Sequence, residues 1–267
     1  MNKYVKKMTE GIDKPTLFVY SLLRFFVIVV LIIQLIHGNW QNAFFCLLTL
    51  ILFLIPLFVD KNFKIDLPTP LEIIILLFIF SAEILGEIQN FYGIFKHWDT
   101  LLHTINGFLC AAIGFSMIDI LNRNENFHTK MTPIFAAFVA FCFSMTIGVL
   151  WEFFEFASDR WFNLDMQKDR IVNTVSTVYL HPEGKNVPVV INNIDHTTIH
   201  YEENGELKEL VIEDGYLDLG IIDTMKDLLV NFIGAVVFSL IGYLYVQNRD
   251  KYKIVKSFIP VMKSETK

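Results

Sequence analysis

The segment Ile221–Tyr245, IIDTMKDLLVNFIGAVVFSLIGYLY, has the length and apolar content of a membrane-spanning helix, yet its first half is too polar to face lipid. Asp223, Asp227 and Asn231 recur every fourth residue, so they form one slowly drifting stripe on a helix, with Gly234 near the same line a turn deeper. Below the stripe the segment is apolar down to Gln247. An acidic stripe at bilayer depth is tolerated only where it faces protein or water, so the rest of the chain must supply its partners.

The composition agrees with a membrane setting. Of 267 residues 54% are apolar, 26 are Phe, and mean hydropathy is +0.47, which together indicate a polytopic membrane protein. A net charge of −6 offers no basic face and argues against nucleic acid as a partner. Cys46, Cys110 and Cys142 all fall inside apolar runs, which reads as buried thiols and not as a zinc cluster or disulfides.

Six runs are long enough to cross a bilayer core: approximately 16–37, 40–59, 69–91, 98–122, 132–156 and 221–246. The expected fold class is therefore an all-α polytopic membrane helix bundle of six transmembrane helices. The short turn at Gly38-Asn39 makes the first two an antiparallel hairpin, and Pro56 should bend the second near its end. The first run ends in HGNW with no small-residue cleavage site, so it reads as a retained span. Lys3, Lys6, Lys7 and Lys14 precede that span. Lys61 and Lys64 follow the second, Arg123 and Lys130 the fourth, and Arg249, Lys251, Lys253, Lys256, Lys263 and Lys267 fill the tail. The opposite short loops contribute Lys96 alone, which places both termini in the cytoplasm.

Between the fifth and sixth spans lies an insertion, 157–220, expected to be extracytoplasmic. Its later part alternates over Val187–Ile194, Thr197–Glu203 and Leu207–Glu213, and Asn204-Gly205 is a type I′ hairpin signal, so a small β-meander is expected. The domain plan is thus 1–156 for five helices, 157–220 for the β-rich insertion, 221–246 for the sixth helix and 247–267 for a basic cytoplasmic tail.

Four helix ends carry polar residues spaced by threes and fours: Glu83, Glu87 and Asn90; Asp99, His103 and Asn106; Glu152, Glu155 and Asp159; Asp223, Asp227 and Asn231. With alternating spans all four ends fall in the outer leaflet. So many carboxylates cannot all be ionised in low dielectric unless protons or cations neutralise them. Carboxylates plus a histidine projecting from facing helices are also the ligands that helix bundles use for divalent metals. The plain alternative is that these groups hydrogen-bond one another and only tie the helices together. Arg24 reads as snorkelling to headgroups, and the small residues Gly107, Gly148 and Gly234 as close helix contacts.

Asp99-Thr-Leu-Leu-His103, Trp151-Glu152-Phe-Phe-Glu155 and Asp227-Leu-Leu-Val-Asn231-Phe-Ile-Gly234-Ala235 resemble the motifs of the VanZ-like group of bacterial membrane proteins, and the paired Asp223 and Asp227 are similar to the YjdF-like proteins. The likeness covers the fourth to sixth spans. Thr100 and Glu155 depart from a pattern that often has Lys and Gln there. The resemblance implies a bacterial plasma-membrane protein of the cell envelope with an arginine in the loop after the fifth span, for which Arg160 and Arg170 are both available.

These observations converge on an outer-leaflet site that binds, and as an enzyme would process, a lipid or envelope-precursor headgroup. His103, Glu152 and Asp227 are the catalytic candidates. Asp99, Asn106, Asn231 and Arg160 are the substrate-binding candidates. His103, Glu152, Glu155, Asp223 and Asp227 are the candidate ligands of a divalent metal. Expected partners are membrane lipids and an envelope precursor or membrane protein. Two other classes stay open: a proton- or cation-coupled transporter, and a non-catalytic scaffold that docks a partner through the β insertion.

Overall fold

The computed structural model describes residues 13–63, 65–123, 130–248 and 261–262. Lys3, Lys6, Lys7, Lys64 and the tail cations Arg249, Lys251, Lys253, Lys256, Lys263 and Lys267 lie outside the described residues. The chain forms two compact units, Met1–Leu150 with Asp227–Lys267, and Trp151–Lys226.

In the first unit, α1 (Lys14–Ile36) starts on a proline and ends at His37 and Gly38, whose φ of +70° suits the reversal. Asn39 then caps α2 (Trp40–Leu52), its side chain accepting from the Asn42 N–H at 3.2 Å. Pro56 sits in the first turn of a separate helix, α3 (Ile55–Phe63), so the expected bend is a break at Phe53-Leu54. After β1 (Ile65–Asp66), which pairs with β8 (Val261–Met262), α4 (Thr69–Phe80) continues directly into a π-helical segment, Ser81–Ile88. Asn90, with φ of 57°, ends that run before the short α5 (Phe91–Ile94). Helices α6 (Trp98–Arg123), α7 (Pro133–Phe162) and α8 (Ile221–Gln247) follow among the described residues.

Among the described residues five helices are long and apolar enough to cross a membrane: Lys14–Ile36, Trp40–Val59, Trp98–Asn122, Pro133–Phe162 and Ile221–Gln247. The third expected span differs. Its twelve α-helical residues give way to eight π-helical ones where Glu83, Gly86 and Glu87 interrupt the apolar run. Large apolar side chains such as Phe18, Phe25, Ile36, Ile51 and Phe138 stay exposed, as a lipid-facing surface requires.

Packing is concentrated in two clusters. Val27, Cys46, Phe53, Leu71, Leu76 and Ile84 join α1, α2, α4 and the π-helical segment. Ala111, Ala112, Phe115, Ala136, Ala140, Ala235 and Phe238 join α6, α7 and α8. Lipid tails are as apolar as these side chains, so close contact and not water exclusion must hold the second cluster. Its small residues allow that contact. The Phe108 and Phe238 rings meet edge to face at 4.9 Å, a geometry worth about 0.5–1.5 kcal/mol.

The second unit contains the other strands. The expected β5–β6 hairpin forms, His196–Glu203 against Glu206–Glu213, with Asn204 at φ 55° and Gly205 at φ 82°, the two positive values of a type I′ turn. The remaining strands do not make a meander. β2 (Ile171–Val172) pairs with β7 (Tyr216–Leu217), and β3 (Val175–Thr177) with β4 (Val189–Ile191), each antiparallel and two-stranded.

Candidate functional site

The first turn of α6 carries Asp99, and one turn later His103 lies on the same face. Asp227 on α8 approaches that face. His103 Nε2 is 3.4 Å from Asp99 Oδ1 and 3.8 Å from Asp227 Oδ2, and one potential ligand atom from each of the three residues lies within 4.8 Å of the others. Burial deepens along the set: the side chains are 21%, 12% and 2% exposed for Asp99, His103 and Asp227.

The next rung inward is neutral. Asn106 Nδ2 donates to Asn231 Oδ1 at 3.0 Å, and Asn231 Nδ2 points at Met145 Sδ at 3.6 Å. Asn231 is 1% exposed. Glycines enforce this fit: a Cβ on Gly107 would lie 2.1 Å from the Asn231 carbonyl oxygen, and one on Gly234 would lie 2.1 Å from that of Thr104. Helices α6 and α8 are therefore in backbone contact at this level, and only short side chains fit in the rungs. Ser144 Oγ on α7 donates to the Gly107 carbonyl at 2.8 Å.

The separations from His103 are long for ordinary hydrogen bonds. The three side chains could hold a metal ion. Ligands held about 2.0–2.1 Å from a tetrahedral ion sit roughly 3.3 Å from one another. One imidazole nitrogen and two carboxylate oxygens also match the donor set of zinc, manganese or iron sites that keep open positions. Asp99 lies in the first turn of α6, where the helix dipole favours its negative charge.

In the second unit Asp223 accepts from the Lys168 N–H at 3.0 Å and pairs with Arg170 Nη2 at 3.3 Å. The arginine that meets the acidic stripe is thus Arg170, while Arg160 is exposed. Asp159 accepts from the Met166 and Gln167 N–H groups, and Trp151 Nε1 donates to Glu155 Oε1 at 2.7 Å. Glu152 is buried, at 4% exposed. Asp218 was not among the expected residues, yet it takes N–H donors from Arg170, Gly220 and Ile222 at 2.7, 3.3 and 2.9 Å and caps the start of α8. Its sequence signal is an aspartate just ahead of an apolar run. Burial acts to raise the Asp218 carboxyl, but those N–H groups and the Arg170 charge together hold it below the usual carboxylate value. Asp169 is shifted the other way, first by loss of water and then by Asp165, Asp218, Asp159 and Asp223.

The sequence-expected residues thus sort by unit. Asp99, His103, Asp227, Asn106 and Asn231 come together in the first. Asp223, Glu152, Glu155 and Arg160 belong to the second, where Asp223 is held by Arg170 and Lys168 and Glu155 by Trp151.

A family model described as "Predicted membrane protein (DUF2238)" matches residues 18–248. A protein of Thermotoga maritima, named only "Uncharacterized protein", is 27% identical over 105 residues, 39% of this chain and 52% of its own length. The chain therefore spans about half the length of that curated relative. No solved structure matches the chain.

Proposed function

The chain belongs to this family of membrane proteins, and on that premise we propose that it binds a divalent cation at Asp99, His103 and Asp227 and uses it to hold the anionic headgroup of a lipid or envelope precursor. The observation that carries the reading is one histidine nitrogen facing two carboxylates at 3.4 and 3.8 Å, with exposure falling from Asp99 to Asp227. His103 and the two aspartates supply one nitrogen and two oxygens. An ion held this way keeps positions free for phosphate oxygens. Asn106 and Asn231 fix the spacing of the helices beneath it. The proposed setting is the outer leaflet of a bacterial plasma membrane with both termini in the cytoplasm, supported by the distribution of Lys and Arg. The stretch Thr69–Phe80 with Ser81–Ile88 serves as the sixth crossing. The likeness to VanZ-like motifs supports the envelope assignment.

The test is thermal unfolding of the detergent-purified protein after chelation, with and without added Mn²⁺ or Zn²⁺. The parent protein should gain stability with metal by mass action, about 2.7 kcal/mol when the metal is at a hundred times its Kd. Asp227→Asn keeps the shape, removes one charge and should abolish that gain. A parent melting temperature indifferent to metal, with Asp227→Asn more stable than the parent, would mean the carboxylates are only crowded charges and would sink the proposal.

A further inference from the structure

Glu83 lies apart in chain and chemistry from the cluster just described. It is on the π-helical segment Ser81–Ile88, is 2% exposed, and its Oε2 has no hydrogen-bond partner among the described residues. Buried apolar residues Ile79 and Ile84 flank it in the chain and belong to the cluster that contains Leu76 and Cys46. The winding here is not α-helical: the Gln89 N–H reaches back five residues to the Ile84 carbonyl at 3.1 Å, and the Ser81 carbonyl accepts from Trp98 Nε1 at 3.3 Å. π-Helical turns inside longer helices recur at functional sites, and they are kept against a cost in regular bonding.

The elements packed against this segment bring few charges. The titratable groups on them are Lys14, Tyr20 and Arg24 on α1, Cys46 on α2, Glu72 on α4, Tyr92 on α5, and Asp99, His103, Cys110 and Asp119 on α6, with Glu87 on the segment itself. The cationic side chains on these elements are Lys14 at the start of α1, Arg24, which donates to the Tyr20 hydroxyl at 2.8 Å, His103, already engaged with Asp99 and Asp227, and Arg123 at the far end of α6. A buried carboxylate with neither donors nor a cation is strongly disfavoured, whereas the protonated acid is accommodated. Glu87 follows one turn later and is half-buried, and Gln89 and Asn90 beyond it are exposed. Those residues lead from Glu83 to the aqueous end of the segment.

We infer that Glu83 is a proton-binding site, neutral at physiological pH, which exchanges its proton with water by way of Glu87. In each exchange the carboxyl O–H bond breaks, the proton passes to water or to Glu87, and the carboxylate is reprotonated from the same side. The π-helical turn is what holds this carboxyl inward among apolar side chains while Glu87 stays near the rim.

Infrared difference spectra of the full chain and Glu83→Gln, both in lipid bilayers at neutral pH, test this directly. The parent should show the C=O stretch of a protonated carboxyl that is lost in Glu83→Gln and that shifts on transfer to D₂O. A hydrophobic carbodiimide, which modifies protonated carboxyls, should label Glu83 in the parent, mapped by mass spectrometry, and labelling should fall as pH rises. This second measurement needs no variant, so it decides the matter even if Glu83→Gln does not fold. Absence of both band and label overturns the inference, as does a band that fails to shift in D₂O. Protection of Glu83 by Na⁺ at fixed pH also overturns it, since the carboxylate would then hold a metal cation.

Discussion

Asn231 has the least freedom to change of the residues around the Asp99–His103–Asp227 cluster. Its amide bonds Asn106, its carbonyl fills the space a side chain on Gly107 would need, and its Nδ2 lies 2.7 Å from where a Cβ on Gly148 would stand. Gly107→Ala should therefore cost about 1–3 kcal/mol through overpacking, read as a lower melting temperature in detergent. Gly205→Ala, where no atom lies within 4 Å, should cost only the strain of a left-handed residue, about 1 kcal/mol. Equal losses at the two positions would show that α6 and α8 are not in close contact. Asp169 gives a prediction with a defined sign. Its folded pKa is raised, so the stability tied to its proton is fully present below the unfolded value near 4 and is lost as pH rises through the folded value. Asp169→Asn should then stabilise slightly at pH 7 and leave acid stability unchanged, the gain being small because the group is exposed and screened. For Asp218 the sign reverses: its contribution is present at neutral pH and is lost as pH falls through its depressed pKa. Within single helices these residues were legible. The spacing of Asp99 with His103, and of Asp227 with Asn231, put each pair on one face. Which faces meet depends on helix packing, and choosing Arg170 over Arg160 depends on where an irregular loop returns; neither leaves a local pattern.

Among the elements, the long apolar runs were the easiest to read, because twenty or so apolar residues leave few alternatives to a helix. The run 69–91 differs from the others in its winding. Its apolar first half is α-helical, but Glu83, Gly86 and Glu87 fall where the chain winds more loosely, and hydropathy does not report winding. The β5–β6 hairpin was visible because alternation and an Asn-Gly turn are both local signals. The pairing of β2 with β7 was not, since two-residue strands far apart in the chain carry no periodicity. The hairpin bonds to itself along its whole length, from His196↔Glu213 to Glu203↔Glu206. Removing residues 187–213 should therefore leave the helical unit folded, seen as a monodisperse detergent-purified protein with a cooperative melt. Loss of membrane-inserted protein on that deletion would instead make the strands part of the bundle's folding.

For the whole molecule, the proposed topology makes a sharp prediction. A cysteine at Asn204, at the tip of the hairpin, should react with a membrane-impermeant maleimide in intact cells. Reaction only after lysis would invert the orientation and move the proposed metal site to the cytoplasmic leaflet. The graded exposure of Asp99, His103 and Asp227 has a consequence for traffic. Beneath Asp227 the Asn106–Asn231 rung and the backbone contacts at Gly107 and Gly234 fill the space between α6 and α8. Any ion that entered at Asp99 and moved toward Asp227 between these two helices would therefore shed its water in steps.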